Sequence, residues 1–218
     1  MTSKQKLYES LVAILGPEGV SWDATTLERY AKDALRRSRA FPDLQKMTFK
    51  PEIVAKPVST DQVSAIVKLA AEHKVPIVPY GGGTGLMGGV LPVKGGITID
   101  LKGMNRILSI SQQDKAVYVE AGVVLRILEE ELNRKRLILG HDPWTLSFAT
   151  VGGAISTDGL GYRGGKYGSM GDQVLGLEVV LASGEVIRTG GKVIKNATGY
   201  NLTQLFIGSE GTLGVITE

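Results

Sequence analysis

Residues 81 to 88 read Gly-Gly-Gly-Thr-Gly-Leu-Met-Gly and follow the apolar run "VPIVPY". Their spacing, Gly83-x-Gly85-x-x-Gly88, is the GxGxxG pattern by which a strand-to-helix turn receives the pyrophosphate of a dinucleotide. That chemistry needs a helix starting inside the glycines and, about 20 residues on, an acid for the ribose. Asp100, closing "GGITID", supplies the acid. The helix is missing: "GVLPVKGG" at 89–96 sets Pro92 among Gly89, Gly95 and Gly96, and no helix survives that composition. Another phosphate chemistry remains. Consecutive glycines let neighbouring residues take opposite backbone hands, so that their N–H groups converge on an anion whose oxygens meet no side chain. A glycine-rich turn that holds nothing is the alternative reading.

Few other residues offer chemistry. The chain has no cysteine and two isolated histidines, which excludes thiol nucleophiles, disulfides and any metal-ligand spacing. His73 ends a predicted helix, where an imidazole meets the helix dipole. His141, in "LGHDPW", is either a proton carrier or an ordinary loop residue. Arg163, Lys166 and Tyr167 in "GYRGGKYG" either meet substrate or phosphate charge or face solvent. Trp144 either stacks on a ring or fills a core. "GGK" at 164–166 and 190–192 lacks the Ser or Thr that a P-loop places after its lysine.

These residues must be carried by regular elements. Residues 1–50 read as a helical arm, with Leu7, Leu11 and Ile14 in one segment, Leu27, Tyr30 and Ala34 in another, and Gly16-Pro17 between. From Pro51 a strand in "EIVAKP" leads to a helix that opens with Ser59 and Gln62 in capping-box spacing and carries Val63, Ile66, Val67 and Ala70 on one face. The strand "VPIVPY" then completes a βαβ unit and delivers the glycine loop at its C-terminal end. Strands in "GGITIDL", "RILSI" and "AVYVEAG" follow, then a helix over 123–136 on Leu125, Leu128 and Leu132. A hairpin about Ser183-Gly184, a short helix in "NLTQLFIG" and a last strand in "LGVITE" finish the chain. The division expected is an arm over 1–50 and a ligand-binding domain over 51–218, itself split into 51–101 and 102–218.

Composition narrows the function classes. At 218 residues with 43% hydrophobic and 22% charged, the chain is long and apolar enough to bury a core. The formal charge is +3 and the one dense basic run is "LRRSR" at 35–39, read as a solvated helix face. That is too little for a nucleic-acid footprint. The 29 glycines fall in clusters without a G-X-Y period, which points to tight backbone sites rather than collagen. With no signal peptide and no apolar run of ~18 residues, no transmembrane segment is expected and a cytoplasmic location is predicted.

Four segments together resemble a known family. "PYGGGTG" at 79–85 is similar to the pyrophosphate loop of FAD-binding oxidoreductases related to vanillyl-alcohol oxidase. "PWTLSFATVGGAISTDGLG" at 143–161 resembles their second loop, "DQVLGLEVVLASGEVI" at 172–187 the hairpin after it, and "NLTQLFIGSEGTLGVITE" at 201–218 their L-F-x-G-S-E-G-T-L-G-[VI]-I-T-E motif. The resemblance runs from Pro51 to Glu218. It is strongest toward the flavin subunit of glycolate oxidase and D-lactate dehydrogenases, with alkyldihydroxyacetonephosphate synthase as a near relative.

The resemblance implies an α+β fold of the p-cresol methylhydroxylase (PCMH) type, two α/β subdomains with FAD between them. Pro79, Tyr80, Gly81, Gly82, Gly83, Thr84 and Gly85 would wrap the pyrophosphate. Trp144, Thr145, Leu146, Ser147, Phe148, Ala149 and Thr150 would line the flavin side, where Gly152 and Gly153 start a helix aimed at phosphate. Ser156, Thr157, Asp158 and Gly159 would continue that contact. Glu210, Gly211, Thr212, Leu213, Gly214, Val215 and Ile216 would pass the cofactor with main-chain groups.

Two departures carry meaning. Relatives that bond flavin covalently through this loop have His where this chain has Thr84, so the FAD is expected to be non-covalent. Hydroxy-acid oxidising relatives read N-A-G-G where this chain has Asp158-Gly159-Leu160-Gly161. The activity implied is oxidation of a 2-hydroxy acid such as glycolate or D-lactate by hydride transfer to flavin N5, with an external electron acceptor. In the resembled enzymes the catalytic base and carboxylate-binding arginines come mostly from a C-terminal cap domain. The sequence stops at Glu218, before any cap, so a truncated product or half of a split enzyme with a cap-domain partner is expected. A non-catalytic flavin-binding module and an alkyldihydroxyacetonephosphate-synthase-like enzyme are the alternatives.

Overall fold

The computed structural model describes residues 2–35 and 49–218. All of the "LRRSR" run beyond Leu35 therefore lies outside the described residues. Helix α1 (Ser3–Leu15) starts at Thr2, whose hydroxyl accepts from the Gln5 amide at 3.3 Å, and stops at Gly16 with φ +76°. Strand β1 (Val20–Ser21) and helix α2 (Ala24–Arg29), capped by Asp23, follow. The expected arm is more than helical. β1 pairs antiparallel with β2 (Ile53–Ala55), and Leu7, Leu11 and Val20 share one core with Ile53, Ile66 and Ile97. A two-residue strand carries no periodicity, so its pairing has no local signature.

Helix α3 (Thr60–His73) begins as its capping box predicts, with the Ser59 hydroxyl accepting from the Gln62 amide at 3.3 Å. The Gln62 side chain reaches back to the Val58 amide at 2.8 Å, one residue before the usual reciprocal partner. Its Val63, Ile66, Val67 and Ala70 are all buried. β3 (Ile77–Tyr80) and β4 (Ile97–Asp100) complete a sheet of order β1-β2-β4-β3, in which β4 runs parallel between β2 and β3. The βαβ unit thus leaves a gap between its strands that the next strand fills.

The rest of the chain builds the second half. β5 (Ile107–Ser111) and β6 (Ala116–Val119) form an antiparallel ribbon. Helix α4 (Leu125–Arg134) buries Leu125, Leu128 and Leu132, each contributing about 1.5–3 kcal/mol of apolar burial. Short helices α5 (Val151–Ser156) and α6 (Gly164–Tyr167) precede β7 (Gly176–Val180) and β8 (Val186–Gly190). Those two strands pair in full register about a turn closed by the Gly184 amide on the Leu181 carbonyl at 2.7 Å. Helix α7 (Thr203–Phe206) leads to β9 (Val215–Ile216), which pairs antiparallel with β7. The chain is α+β.

Contacts from β7 and β9 help to join the halves. Val180 of β7 and Val215 of β9 lie in the core of the first sheet, beside Ile66 and Ile99. Glu178 of β7 is buried and accepts from Thr60 at the start of α3 (2.6 Å), from Thr217 (2.9 Å) and from Arg188 (2.6 Å).

Candidate functional site

The glycine loop leaves β3 with no helix after it. Asp100, the acid of the GxGxxG pattern, is buried and turned to the N-terminal segment: its carboxylate accepts from the Tyr30 hydroxyl at 2.6 Å and the Lys102 amide at 3.0 Å. Burial and then Asp100 push the Tyr30 phenol far up, so it remains a donor. Asp100 is therefore committed inside the protein and is not placed to meet a ribose. Tyr30→Phe, which leaves this buried carboxylate without its hydroxyl partner, is expected to destabilise the fold by about 1.5 kcal/mol, read as a lower urea midpoint with unchanged slope.

The N-terminal segment also fastens the loop itself. The Ala34 amide donates to the Gly85 carbonyl at 3.0 Å, and Asp33 accepts from the Gly88 amide at 2.9 Å. The Tyr30 and Tyr80 rings meet edge to face at 4.8 Å, and the Lys102 ammonium stands 5.4 Å from the Tyr80 ring. Burial, then the Asp100 and Asp33 charges, raise the Tyr80 phenol above its ordinary value, so it is neutral.

The loop folds against the second loop across a cleft of about 410 Å³, within the size range of small-molecule sites. The approach is tight enough to demand glycine. A β-carbon on Gly81 would collide with the Thr150 hydroxyl, and one on Gly82 with the Phe148 carbonyl. Gly83 sits at φ +64° with Tyr80 folded beneath it. The backbone N–H groups of Gly82, Gly83 and Thr84 donate to no acceptor among the described residues. Such amides need an acceptor from elsewhere.

The start of α5 differs from what the resemblance implied. Thr150 is its N-cap, and the amides of the first turn are already used inside the protein: Val151 on Val123 (2.9 Å), Gly152 on Ala121 (2.8 Å), and Gly153 on the Thr150 hydroxyl (3.3 Å). Gly152 serves close packing instead, since a β-carbon there would come within 2.7 Å of Ala121 Cβ.

Of the residues assigned to FAD, the structure brings Pro79 to Gly85, Thr145, Ala149, Thr150, Gly152, Gly153, Ser156, Thr157, Gly159, Glu210, Gly211, Gly214 and Ile216 to the cleft wall. The others lie elsewhere. Trp144 and Phe148 are each 70% exposed and outside it. Leu146 packs on the second core, and Ser147 accepts from Arg126 at 2.7 Å. Asp158, at φ +47°, turns its carboxylate to the Gly171 amide at 2.9 Å. Thr212 donates to Ser209, Leu213 is exposed, and Val215 is buried in the first core. Arg163 is held by Glu129 at 2.8 Å and Asp142 at 3.3 Å and does not line the cleft.

Sequence reasoning missed Leu86, Met87, Leu101, Ala121 and Leu160 on the cleft wall, and the Asp33–Ala34 clamp. Leu86 and Met87 lie inside the GxGxxG spacing and were within reach. The clamp spans more than 50 residues and left no local trace. His141 is 2% exposed, lines the cleft, and its Nδ1 has no hydrogen-bond partner. Burial holds its pKa below the ordinary value, against the opposing charges of Asp142 and Asp158.

Similarity to known proteins agrees with this geometry. Residues 51–190 match the FAD binding domain family. The chain is 43% identical over 212 residues to the glycolate oxidase subunit GlcD of Bacillus subtilis, covering 96% of this chain and 43% of the relative. It is 43% identical over 169 residues to a D-lactate dehydrogenase of Anaerostipes hadrus, covering 78% of this chain and 35% of the relative. Among solved structures it superposes on alkyldihydroxyacetonephosphate synthase with a TM-score of 0.84 at 27% identity, over 98% of this chain and 42% of that one. It superposes on substrate-bound p-cresol methylhydroxylase with a TM-score of 0.80 at 27% identity, over 100% of this chain and 42% of that one. The chain thus spans less than half the length of these proteins. With free amides on a glycine loop that lines a cleft and this similarity in agreement, the chain belongs to the FAD-binding domain family of flavin oxidoreductases, and its cofactor is FAD.

Proposed function

We propose that this chain is the FAD-holding part of an enzyme that oxidises a 2-hydroxy acid of the glycolate or D-lactate kind. The observation that carries the FAD-holding role is the unpartnered amides of Gly82, Gly83 and Thr84 on the cleft wall, which would receive the diphosphate. The names of the relatives support the substrate class. Bound FAD would accept a hydride from the substrate carbon and pass electrons to an external acceptor. Thr84 has no imidazole to form a tether, so binding is non-covalent. Leu86, Met87 and Leu160 would keep water from the ring system.

Substrate handling needs more than this cleft. Glu210 is the one charged side chain on its wall among the described residues, and a 2-hydroxy acid carboxylate finds no cation there. A cap domain, on the same chain or a partner, would supply the cation and the base. A flavin-binding module without turnover is the second reading, favoured by that missing cation. An activity like that of alkyldihydroxyacetonephosphate synthase is a third, supported by the superposition. No described helix is long and apolar enough to cross a membrane, and a cytoplasmic location belongs to the proposal.

Titration with FAD is expected to quench flavin fluorescence, raise the melting temperature and give a coloured protein whose flavin is released on acid precipitation. Absence of all three changes would remove the FAD-holding role. Bleaching of the bound flavin by D-lactate or glycolate without air, after addition of the cap-bearing part, tests the substrate class.

A further inference from the structure

His141 is the unexplained group of the cleft. It is 2% exposed, yet it makes no hydrogen bond to the described protein. Buried polar groups are almost always paired, and leaving one unpaired costs about 1–3 kcal/mol. Its two nitrogens are not equivalent. Nδ1 is sealed from solvent and without a partner, whereas Nε2 is not sealed and belongs to a side chain of the cleft wall. Gly159 packs beside the Cε1–Nε2 edge, where a β-carbon would stand 3.1 Å from Cε1 and 3.3 Å from Nε2, so the absence of a side chain there leaves the Nε2 edge room on the cleft. An orphaned lone pair is tolerated better than an orphaned N–H, which places the single proton of the neutral ring on Nε2. The side chain is thus a buried donor held at the cleft with no acceptor for its hydrogen among the described residues.

We propose that His141 is a cofactor-positioning residue: its Nε2–H donates to an acceptor atom of bound FAD. The inference rests on the FAD-holding role proposed above. It adds a side-chain contact to the main-chain amides of the glycine loop, on the same cleft. A flavin nucleotide is rich in acceptors, in its phosphates, hydroxyls and ring carbonyls, whereas protonation of the ring would add a second buried N–H with no partner.

The test uses the chain's small histidine inventory. His73 and His141 are its only two imidazoles, so ring-nitrogen NMR of the wild-type chain shows two signals sets, assigned with His73→Gln. Adding FAD is expected to move the Nε2 signal of His141 and leave His73 in place. In parallel, His141→Leu, which keeps the volume and loses the donor, is expected to bind FAD about five- to tenfold more weakly. His141→Gln, whose amide nitrogen reaches about as far as Nε2, is expected to stay within about twofold of wild type and to restore the spectrum of the bound flavin. If wild-type protein binds FAD and the His141 ring signals stay fixed, the proposal is overturned even where a variant does not fold. Equal affinity and identical flavin spectra for the leucine variant would overturn it as well. If wild-type protein binds no FAD, the FAD-holding role itself fails and this contact with it.

Discussion

Gly82→Ala is expected to weaken FAD binding about 100-fold while moving the melting temperature of the cofactor-free protein by only a few degrees. The β-carbon would fall on the Phe148 carbonyl, with the Phe148 carbonyl carbon 2.9 Å away and Ala149 Cα 3.1 Å away. Backbone cannot yield as a flexible side chain can, so the first loop must lift off the second. Gly82 lies beyond the end of β3 and outside both cores, which confines the damage to the loop. Overpacking costs about 1–3 kcal/mol, and its upper end is the 100-fold expected. Gly165→Ala is the control: a β-carbon there meets nothing within 4 Å and the residue lies outside the cleft wall, so its affinity should stay near wild type. Equal dissociation constants for the two variants by fluorescence titration would show that loop contact does not shape the site.

The largest effect on stability is expected at Glu178. Glu178→Ala removes the acceptor shared by Thr60, Thr217 and Arg188 and leaves two threonine hydroxyls without it at the junction of the halves. Arg188 is mostly exposed and recovers water, so the cost sits at the low end for a broken buried pair, about 3 kcal/mol. For a chain of this size that is a fall of roughly 6–12 °C in Tm. The pH dependence has a defined sign. Burial alone would raise the Glu178 carboxyl, but hydrogen bonds from Thr60, Thr217 and Arg188, with the Arg188 charge, outweigh it and hold the pKa below the ordinary carboxylate value of 4.5. The unfolded chain therefore takes up the proton first as pH falls. The stabilisation is complete above about pH 4.5 and drains away as pH drops through the lower folded value. Glu178→Gln should flatten that acid limb of the stability curve; a limb identical to wild type would show that another carboxylate governs it.

The elements of this fold were legible wherever one local signal decided them. Val63, Ile66, Val67 and Ala70 marked one face of α3, Ser59 its start, and Ser183-Gly184 the turn of the β7–β8 hairpin. β1 was not legible, because two residues cannot show a period and their partner lies over 30 positions away. The site divides along the same line. Glycines that had to be glycine announced the first loop, and the family motif pointed to Glu210 and Gly211, which lie on the cleft wall. The second loop divides: Thr145, Ala149 and Thr150 line the cleft, and Trp144, Leu146, Ser147 and Phe148 do not. Trp144, Ser147 and Phe148 share its sequence neighbourhood, yet the tight turns from Pro143 to Ala149 point them outward. The partners of the α5 amides were not legible either, since the carbonyls of Ala121 and Val123 that receive two of them come from about 30 residues upstream. Nothing in the string of letters says which donor is already spent.

The two valines that cross between cores bear on how the molecule is made. Because Val180 and Val215 complete the hydrophobic interior of the first sheet, a ribosome that has released only the first hundred residues has released an unfinished half, with Ile66 and Ile99 still uncovered. The interior of the first half is completed only once the second has been made, which couples the two in folding. Capture of the nucleotide then belongs after translation of Val215.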